Sequence, residues 1–467
     1  MKKIKILCHI ESDVEYRHFI MNDALKEIFI KCEVILITPP KDYHRFTQHK
    51  LNKYYIKKNK IIKIDNSRIS TWRKRFHFLN LRKMIKTKNL PLFFVWSFII
   101  GYKATIKFLI FQLPILYQIM IRKIDNSLKI TSPKTYWNFI SDFKPDILLH
   151  PSTFGGYFIN DMIMAGKKFN IPSLVIMNSW DNPSLKSTFY ANPDLVGVWG
   201  MQSKNHSKIY MGLHDKNISI MGCAQFEAHK KKSRISKKNF YLEHNIKLNK
   251  KIILYAGSTV SRNEYKQLKK ILDFLSKNNL NNSFQLMYRA HPWGFHPNTS
   301  EKILSLKDKG LIFEKTSVES YYENSKSTNN KTINLLEYER TNDILKNVEI
   351  LISPMSTILL EGGIHGIPTM CLFPKEDQSF SLFDKERQTW RVFNKYLPHF
   401  REIIDHKYIM FCDSYDLIDE SLVNLLSKAK DKHYRKKLQS SMNYFVEMKK
   451  RSFSTILYEK VVQLSKM

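Results

Sequence analysis

The sequence is short of several features that mark large classes of protein. Its 467 residues include only five cysteines (Cys8, Cys32, Cys223, Cys371 and Cys412), scattered, odd in number and never in a C-x-x-C pair. Neither a disulfide framework nor a zinc site is indicated, and a reducing cytoplasm fits. Long hydrophobic runs are missing too. The longest uncharged stretches, Asn89–Tyr102 and Phe108–Ile121, are 14 residues each, below the ~20 a spanning helix needs, so no transmembrane helix is expected. Residues 1–10 carry about six apolar positions before Glu11, too few for a secretory core with a cleavage site; they read as a first strand. The length instead suits about two to four domains with sizeable cores.

Negative charge is also scarce: 76 Lys+Arg face 42 Asp+Glu, a net +34. Nucleic acid would explain such a balance, yet the chain has no aromatic RNP stretch, no zinc-finger spacing and no Arg/Gly-rich tail, and no specific nucleic-acid partner is expected. A lysine- and asparagine-rich background would explain it without any ligand. Position favours anionic lipid. Between Lys41 and Lys88 there are 16 Lys/Arg and two acids, Asp42 and Asp65, just before the apolar block 90–121. Basic next to apolar is how a peripheral protein holds an anionic leaflet.

What is present is a repeated alternation of short apolar strands and helical stretches. Lys3–Ile10 and Glu33–Thr38 flank a helix-like stretch at His18–Phe29. Asp146–His150, Ser173–Asn178, Leu195–Trp199 and Ile218–Met221 read as further strands, with helices near Tyr157–Lys168 and Gln202–Met211. Residues 226–248, polar over their first half, read as a linker. A second alternation follows, with strands at Lys251–Tyr255, Phe284–Tyr288, Leu311–Phe313, Glu349–Ile352 and Thr369–Phe373. Helices fall at Glu264–Ser276, Asn342–Asn347 and Thr357–His365. From about Asp413 the chain reads as helix only. Strands alternating with helices specify parallel sheets. Glycine supports the map: only Gly101 precedes position 155, and Gly155-Gly156, Gly257, Gly294 and Gly362-Gly363 fall at or just after strand ends, where a backbone must bend or approach a ligand.

Three of these turns carry chemistry. In Ile350–Pro368 a strand ends, Ser353, Ser356 and Thr357 follow, and a helix begins, a geometry that binds phosphate. Glu361 lies one turn on, where it could accept hydrogen bonds from sugar hydroxyls. Ser356 as an N-cap and Glu361 as a dipole partner is the alternative. In Leu286–Gly294 a strand closes on Arg289, His291 and Pro292, a cation and an imidazole at the carboxyl edge of a sheet, or else a histidine capped by a rigid turn. Tyr255–Ser261, with Gly257 and Ser258, is a small-residue turn lacking both the Walker pattern and G-x-G-x-x-G.

The pair RAHP (289–292) and SPMSTxxxE (353–361) resembles the GT-B glycosyltransferases of bacterial surface-polysaccharide (capsule and lipopolysaccharide) biosynthesis. NSWDNPSLKS (178–187), PDLVGVWG (193–200) and ISIMGCAQFE (218–227) are also similar to the end of the amino-terminal domain in that group. The likeness spans about 145–375. It implies an α/β chain of two Rossmann-like domains facing a cleft, with a basic and apolar insertion and C-terminal helices. The domains would be 1–225 for the acceptor (with 41–130 docking a membrane), the linker, 249–412 for the donor, and terminal helices 413–467 that return to the first domain. Gly257, Ser258, Arg289, His291, Ser356, Thr357 and Glu361 would hold a nucleotide-sugar donor. Its acceptor would be a glycan or a lipid-linked molecule at the cytoplasmic face of the inner membrane.

Fixed donors and cations stabilise charge on a leaving nucleotide. No D-x-D triplet occurs, so no metal and no cofactor are expected. Inversion needs a base on the acceptor side, and the D/E-D/E-G triplet of the sialyltransferase-type branch is missing. Asp181 is the first candidate, because Trp180 beside it would exclude water and could stack on a sugar; an Asx turn with Asn182 and Pro183 is the other reading. Glu11 and Asp13 are further candidates, or a solvated loop. His150 would line the same cleft. A CDP-glycerol glycerophosphotransferase, a nucleotide-sugar 2-epimerase and a basic nucleic-acid binder are the rival functions.

Overall fold

The computed structural model describes residues 3–38, 61–63, 113–129, 134–151, 158–186, 188–258, 263–291, 297–317, 338–377 and 397–466. Most of the expected docking segment lies outside these residues, as do Gly155-Gly156, Pro292 and Gly294.

The chain divides into two units, Met1–Glu227 with Tyr444–Met467, and Ala228–Asn443. In the first, strands β1 (Lys5–His9), β2 (Glu33–Thr38), β3 (Ile61–Lys63), β4 (Ile147–His150), β5 (Ser173–Ile176), β6 (Leu195–Val198) and β7 (Ile218–Ile220) form one sheet in the order β3-β2-β1-β4-β5-β6-β7. Every pairing is parallel; Cys8, for example, lies between Leu36 and Leu149. Strands buried on both faces read as continuous apolar runs, which is why KILCH, EVILIT and ILLH are so regular. One face packs Ile6, Cys8, Leu36 and Leu149 against Ile28 and against Phe453, Leu457 and Val461 of the last helix, Phe453–Leu464. The end of the chain thus completes the core of the first unit.

The second unit repeats the plan. Strands β8 (Lys251–Ala256), β9 (Phe284–Arg289), β10 (Ile312–Phe313), β11 (Ile350–Ser353), β12 (Thr369–Leu372) and β13 (Ile409–Cys412) form a parallel sheet in the order β10-β9-β8-β11-β12-β13. Tyr255, Leu286 and Ile352 pack beneath Leu268, Ile271 and Leu275 on one face. Leu254, Met287 and Leu351 meet Ile344, Ile358 and Phe240 on the other. Gly362 lets the helix Ile358–Ile364 lie close on the sheet, because a Cβ there would run into the Leu351 side chain and Thr369 Oγ1.

Three local expectations differ from the structure. Of residues 226–248, all from Ala228 on are folded into the second unit: Ser236 Oγ caps the helix Lys237–Glu243, and Phe240, Tyr241 and Ile246 are core residues. The lysines of the first half masked this apolar set. The stretch His18–Phe29 is a π-turn at Tyr16–Met21 and a separate helix at Lys26–Lys31, broken where Asp23 takes φ 58°. Strands β3 and β13 were not expected, being three and four residues at sheet edges. Among the described residues no helix is long and apolar enough to cross a membrane.

In both sheets the strand order reverses once, between β1 and β4 and between β8 and β11. Open α/β sheets bind ligands beyond the carboxyl ends of the strands at this point.

Candidate functional site

At the reversal of the second sheet, hydroxyls and peptide groups of the two strand ends tie to each other. Ser353 Oγ donates to the Ala256 carbonyl at 2.8 Å, and Ser258 Oγ donates to the Met355 carbonyl at 3.1 Å. Gly257 N–H donates to the Arg289 carbonyl at 2.8 Å, and Ser258 N–H to Glu264 Oε1 at 3.0 Å. The other oxygen of Glu264 accepts from Tyr288 OH at 2.6 Å. A Cβ on Gly257 would sit 2.8 Å from Glu264 Oε1, so only glycine lets this carboxyl reach the turn. Burial pushes Glu264 up to about 7, against the pull of Tyr288 and Ser258. Ser258 and Ser353 are therefore committed to bracing the edge.

Ser356 and Thr357 differ. Both are half-buried, and neither hydroxyl is bonded to another described residue. Thr357, rather than Ser356, stands at the N-cap of Ile358–Ile364, and it makes no side-chain cap bond. Arg289, at the end of β9, gives one guanidinium nitrogen to Thr341 Oγ1 at 2.8 Å. Burial and the Arg289 charge lower His291 to about 4. At neutral pH it is a neutral imidazole, able to donate or accept one hydrogen bond at each nitrogen according to tautomer. Glu361, buried in the first turn of the helix, is bonded through Oε2 to His229 Nε2 at 3.1 Å.

The first sheet carries different chemistry at its reversal. Glu11 follows β1, His150 ends β4, and Glu11 Oε1 lies 2.9 Å from His150 Nε2. Phe158 N–H also reaches Glu11 Oε1, at 3.3 Å, and Glu11 N–H donates to Glu15 Oε2 at 2.6 Å. His9 stacks on His150 with ring centroids 5.4 Å apart; burial and His150 lower it to about 3. All of these residues are buried. Of Asp13, the backbone lies in the short turn Asp13–Glu15.

Asp181 lies elsewhere, past β5. Its Oδ1 accepts from Asn182 Nδ2 at 3.3 Å, while Asn182 Oδ1 takes the N–H of Ser179 at 3.0 Å, as in the turn reading. Trp180 is 2% exposed and meets Phe445 edge-on. Its indole is core and does not offer the sugar a stacking face. Among the described residues no group of three or more His, Cys, Asp or Glu could hold a metal ion.

Sequence reasoning did not single out Glu264, His9, Glu15 or His365, and met His229 only as the head of a lysine run. Glu264 had one usable signal, a carboxylate seven residues after the glycine of a strand-end turn.

No protein-family model and no curated protein matches the sequence. Solved structures do. A UDP-N-acetylglucosamine 2-epimerase matches with a TM-score of 0.54 and 12% identity, over 100% of this chain and 98% of that one. The UDP-GlcNAc 2-epimerase of Neisseria meningitidis, bound to UDP-GlcNAc, matches with a TM-score of 0.50 and 14% identity over 98% and 100%. That of Methanocaldococcus jannaschii matches with 0.50 and 11% over 98% and 100%. At such identities the likeness is one of fold: the chain has the two-domain α/β fold of the GT-B type.

Proposed function

We propose that this chain is a glycosyltransferase that moves a sugar from a nucleotide-activated donor to a lipid-linked or surface-glycan acceptor, with inversion and without a metal ion. One observation carries the reading. At the reversal of the second sheet the hydroxyls of Ser258 and Ser353 are spent on the protein, whereas those of Ser356 and Thr357, on the same edge as Arg289 and His291, are bonded to no described residue. Hydroxyls, a cation and a neutral imidazole are what a departing nucleotide phosphate requires, since its charge grows as the glycosyl bond breaks. Glu361 would meet the ribose or the donor sugar.

Transfer also requires a group that takes the acceptor's hydroxyl proton as its oxygen bonds the anomeric carbon. The Glu11–His150 pair suits this better than Asp181, because it bridges the two strand ends at the reversal point of its sheet. With Glu11 ionised, His150 Nε2 carries the hydrogen between them. Docking on an anionic bilayer is supported by the helix Pro114–Lys129 and the residue before it, where Leu113, Ile115 and Ile119 are exposed near exposed Arg122 and Lys123. Apolar contacts and cations act together at a lipid surface. Neutralising Lys57, Lys58, Lys60, Arg73, Lys74 and Arg75 should then weaken binding to anionic liposomes, and unchanged binding would remove the docking claim.

The donor site is tested by a thermal-shift panel in EDTA with CMP, CDP, UDP, GDP and sulfate, repeated on His291→Ala. Stabilisation by one nucleotide, lost in the variant, supports it; equal shifts by every anion, retained in the variant, contradict it. A nucleotide-sugar 2-epimerase is the second reading, favoured by the fold likeness to such epimerases. An epimerase converts a nucleotide sugar with no acceptor present, whereas a transferase needs an acceptor and releases the nucleotide.

A further inference from the structure

The second sheet has a cavity at its other end, where the strands begin. It measures about 160 Å³ and is lined by Lys237, Lys251, Lys346 and Arg435, with Tyr241 and Glu349 among its remaining walls. Lys251 is the first residue of β8, and Glu349 immediately precedes β11. The cavity therefore lies at the amino edge, whereas Ser258, Ser356 and Arg289 follow or close strands at the carboxyl edge. Its cations come from four separate places in the chain. Lys237 opens the helix Lys237–Glu243, Lys346 follows the helix Tyr338–Leu345, and Arg435 belongs to the helix Lys432–Ser441. Tertiary structure, not a lysine run, assembles them.

One carboxylate serves the group. Glu349 Oε1 lies 3.2 Å from Lys251 Nζ and 3.9 Å from Arg435 Nη1. The Lys346 ammonium donates to the Lys231 carbonyl, and Arg435 Nε donates to the Gly366 carbonyl at 3.0 Å, which fixes the guanidinium. Lys237 Nζ stands 5.1 Å from the centroid of the Tyr241 ring. Neither Lys237 nor Lys346 is paired with an acid among the described residues. A helix C-terminus attracts cations and so accounts for Lys346, but the same dipole opposes a cation at the first helical position, where Lys237 stands. Four cations around one carboxylate repel one another and leave three positive charges in excess, a field that concentrates anions from solution. Lys237, Lys251 and Lys346 are exposed and Arg435 is half-buried, so the cavity is open to such an anion. Its volume exceeds the ~30 Å³ share of a water several-fold, which leaves room for a phosphate group.

We propose that this cavity is a second anion site, which holds a phosphate group between Lys237, Lys251, Lys346 and Arg435, either on a soluble ligand or on a lipid headgroup. The site is separate from the donor edge and does not depend on which reaction the chain performs.

The test measures calorimetric affinity of the full chain for inorganic phosphate and pyrophosphate, and its co-sedimentation with phosphatidylcholine vesicles with and without phosphatidic acid. Both are read in wild type, in the pair Lys237→Gln/Lys251→Gln, and in a charge-matched pair, Lys270→Gln/Lys277→Gln, at exposed positions of the helix Glu264–Lys277. The site pair should weaken binding by about tenfold, the loss expected of two partly exposed charge contacts, and the matched pair by much less. Weaker sedimentation with phosphatidic acid, relieved in wild type by soluble phosphate, makes the phosphate a lipid's. Loss in calorimetry alone makes it a soluble ligand's. Either result supports the site. Equal weakening in the two pairs means general surface charge and overturns the inference. So does binding unchanged by the site pair in both assays, or no phosphate bound in either. Calorimetric binding that disappears in His291→Ala belongs to the donor edge, and if the vesicle assay shows none at the cavity the inference fails. Should the site pair not fold, Lys237→Gln alone, which keeps the Lys251–Glu349 pair, carries the same decision.

Discussion

The two sheets share a strand order and place their polar residues at the same reversal point, yet the bonding there is of opposite kinds. In the first, side chain meets side chain: Glu11 with His150, and His9 stacked on His150. In the second, side-chain hydroxyls meet backbone, Ser353 with Ala256 and Ser258 with Met355, beside the side-chain pairs Glu264–Tyr288 and Arg289–Thr341. A carboxylate bonded to an imidazole can take up or give a proton. Hydroxyls, peptide N–H groups and a cation hold negative charge without reorganising. One fold therefore sets a carboxylate–imidazole pair at the edge of one unit and hydroxyls with a cation at the edge of the other.

The sharpest way to break this comparison is Glu11→Gln. Removing a general base costs about 10²- to 10⁴-fold in turnover, and nucleotide affinity should stay unchanged; a parallel loss of affinity would show that the two edges are not chemically separate. Next comes Glu264→Gln. Glu264 has a folded value near 7 against an ordinary 4.5, so the folded state holds this proton more tightly than the unfolded state does. Its contribution is fully present below pH 4.5 and is lost as pH rises through about 7, about 3 kcal/mol at most. The difference between wild type and Glu264→Gln in denaturant unfolding should thus shift in the variant's favour between pH 5 and pH 8. A constant difference would mean that burial of Glu264 is compensated.

Arg289→Ala should weaken nucleotide binding by about 10- to 100-fold, as loss of a hydrogen bond to a charged group does, with turnover at saturating donor much less affected. The smallest effect concerns His291. Lowered to about 4 in the free protein, it should rise when a phosphate binds, so binding takes up protons and affinity increases a few-fold as pH falls from 7.5 to 5.5. Calorimetry in buffers of different ionisation enthalpy reads that uptake directly, and pH-independent affinity would remove His291 from the phosphate.

Much of the scaffold was legible because strands buried on both faces leave apolar runs that no surface segment needs. KILCH, SLVI, KIILYA and TMCL are of this kind. The three-residue edge strand IIK carried no such run, whereas IMFC, at the other sheet's edge, did and was overlooked. Residues 226–248 misled for a related reason. Their lysines lie on the exposed side of a segment whose aromatic residues, Phe240 and Tyr241, face the core. Among the candidate site residues, Ser356 and Thr357 were visible from the motif. That Ser258 braces the turn was not, since its partners Met355 and Glu264 are set by register and by a returning helix.

The sequence by itself determined the parallel α/β architecture, the repetition of that plan and the positions of the turns that end its strands, because burial periodicity and glycine placement are local properties. The tertiary structure alone decided the partnerships. Glu11 meets His150 across 139 residues, Ser353 meets Ala256 across 97, and His229 meets Glu361 across 132. A hydrogen bond requires two atoms within about 3 Å in a set orientation, and no periodicity in a chain encodes which distant strand ends a sheet's register will bring side by side.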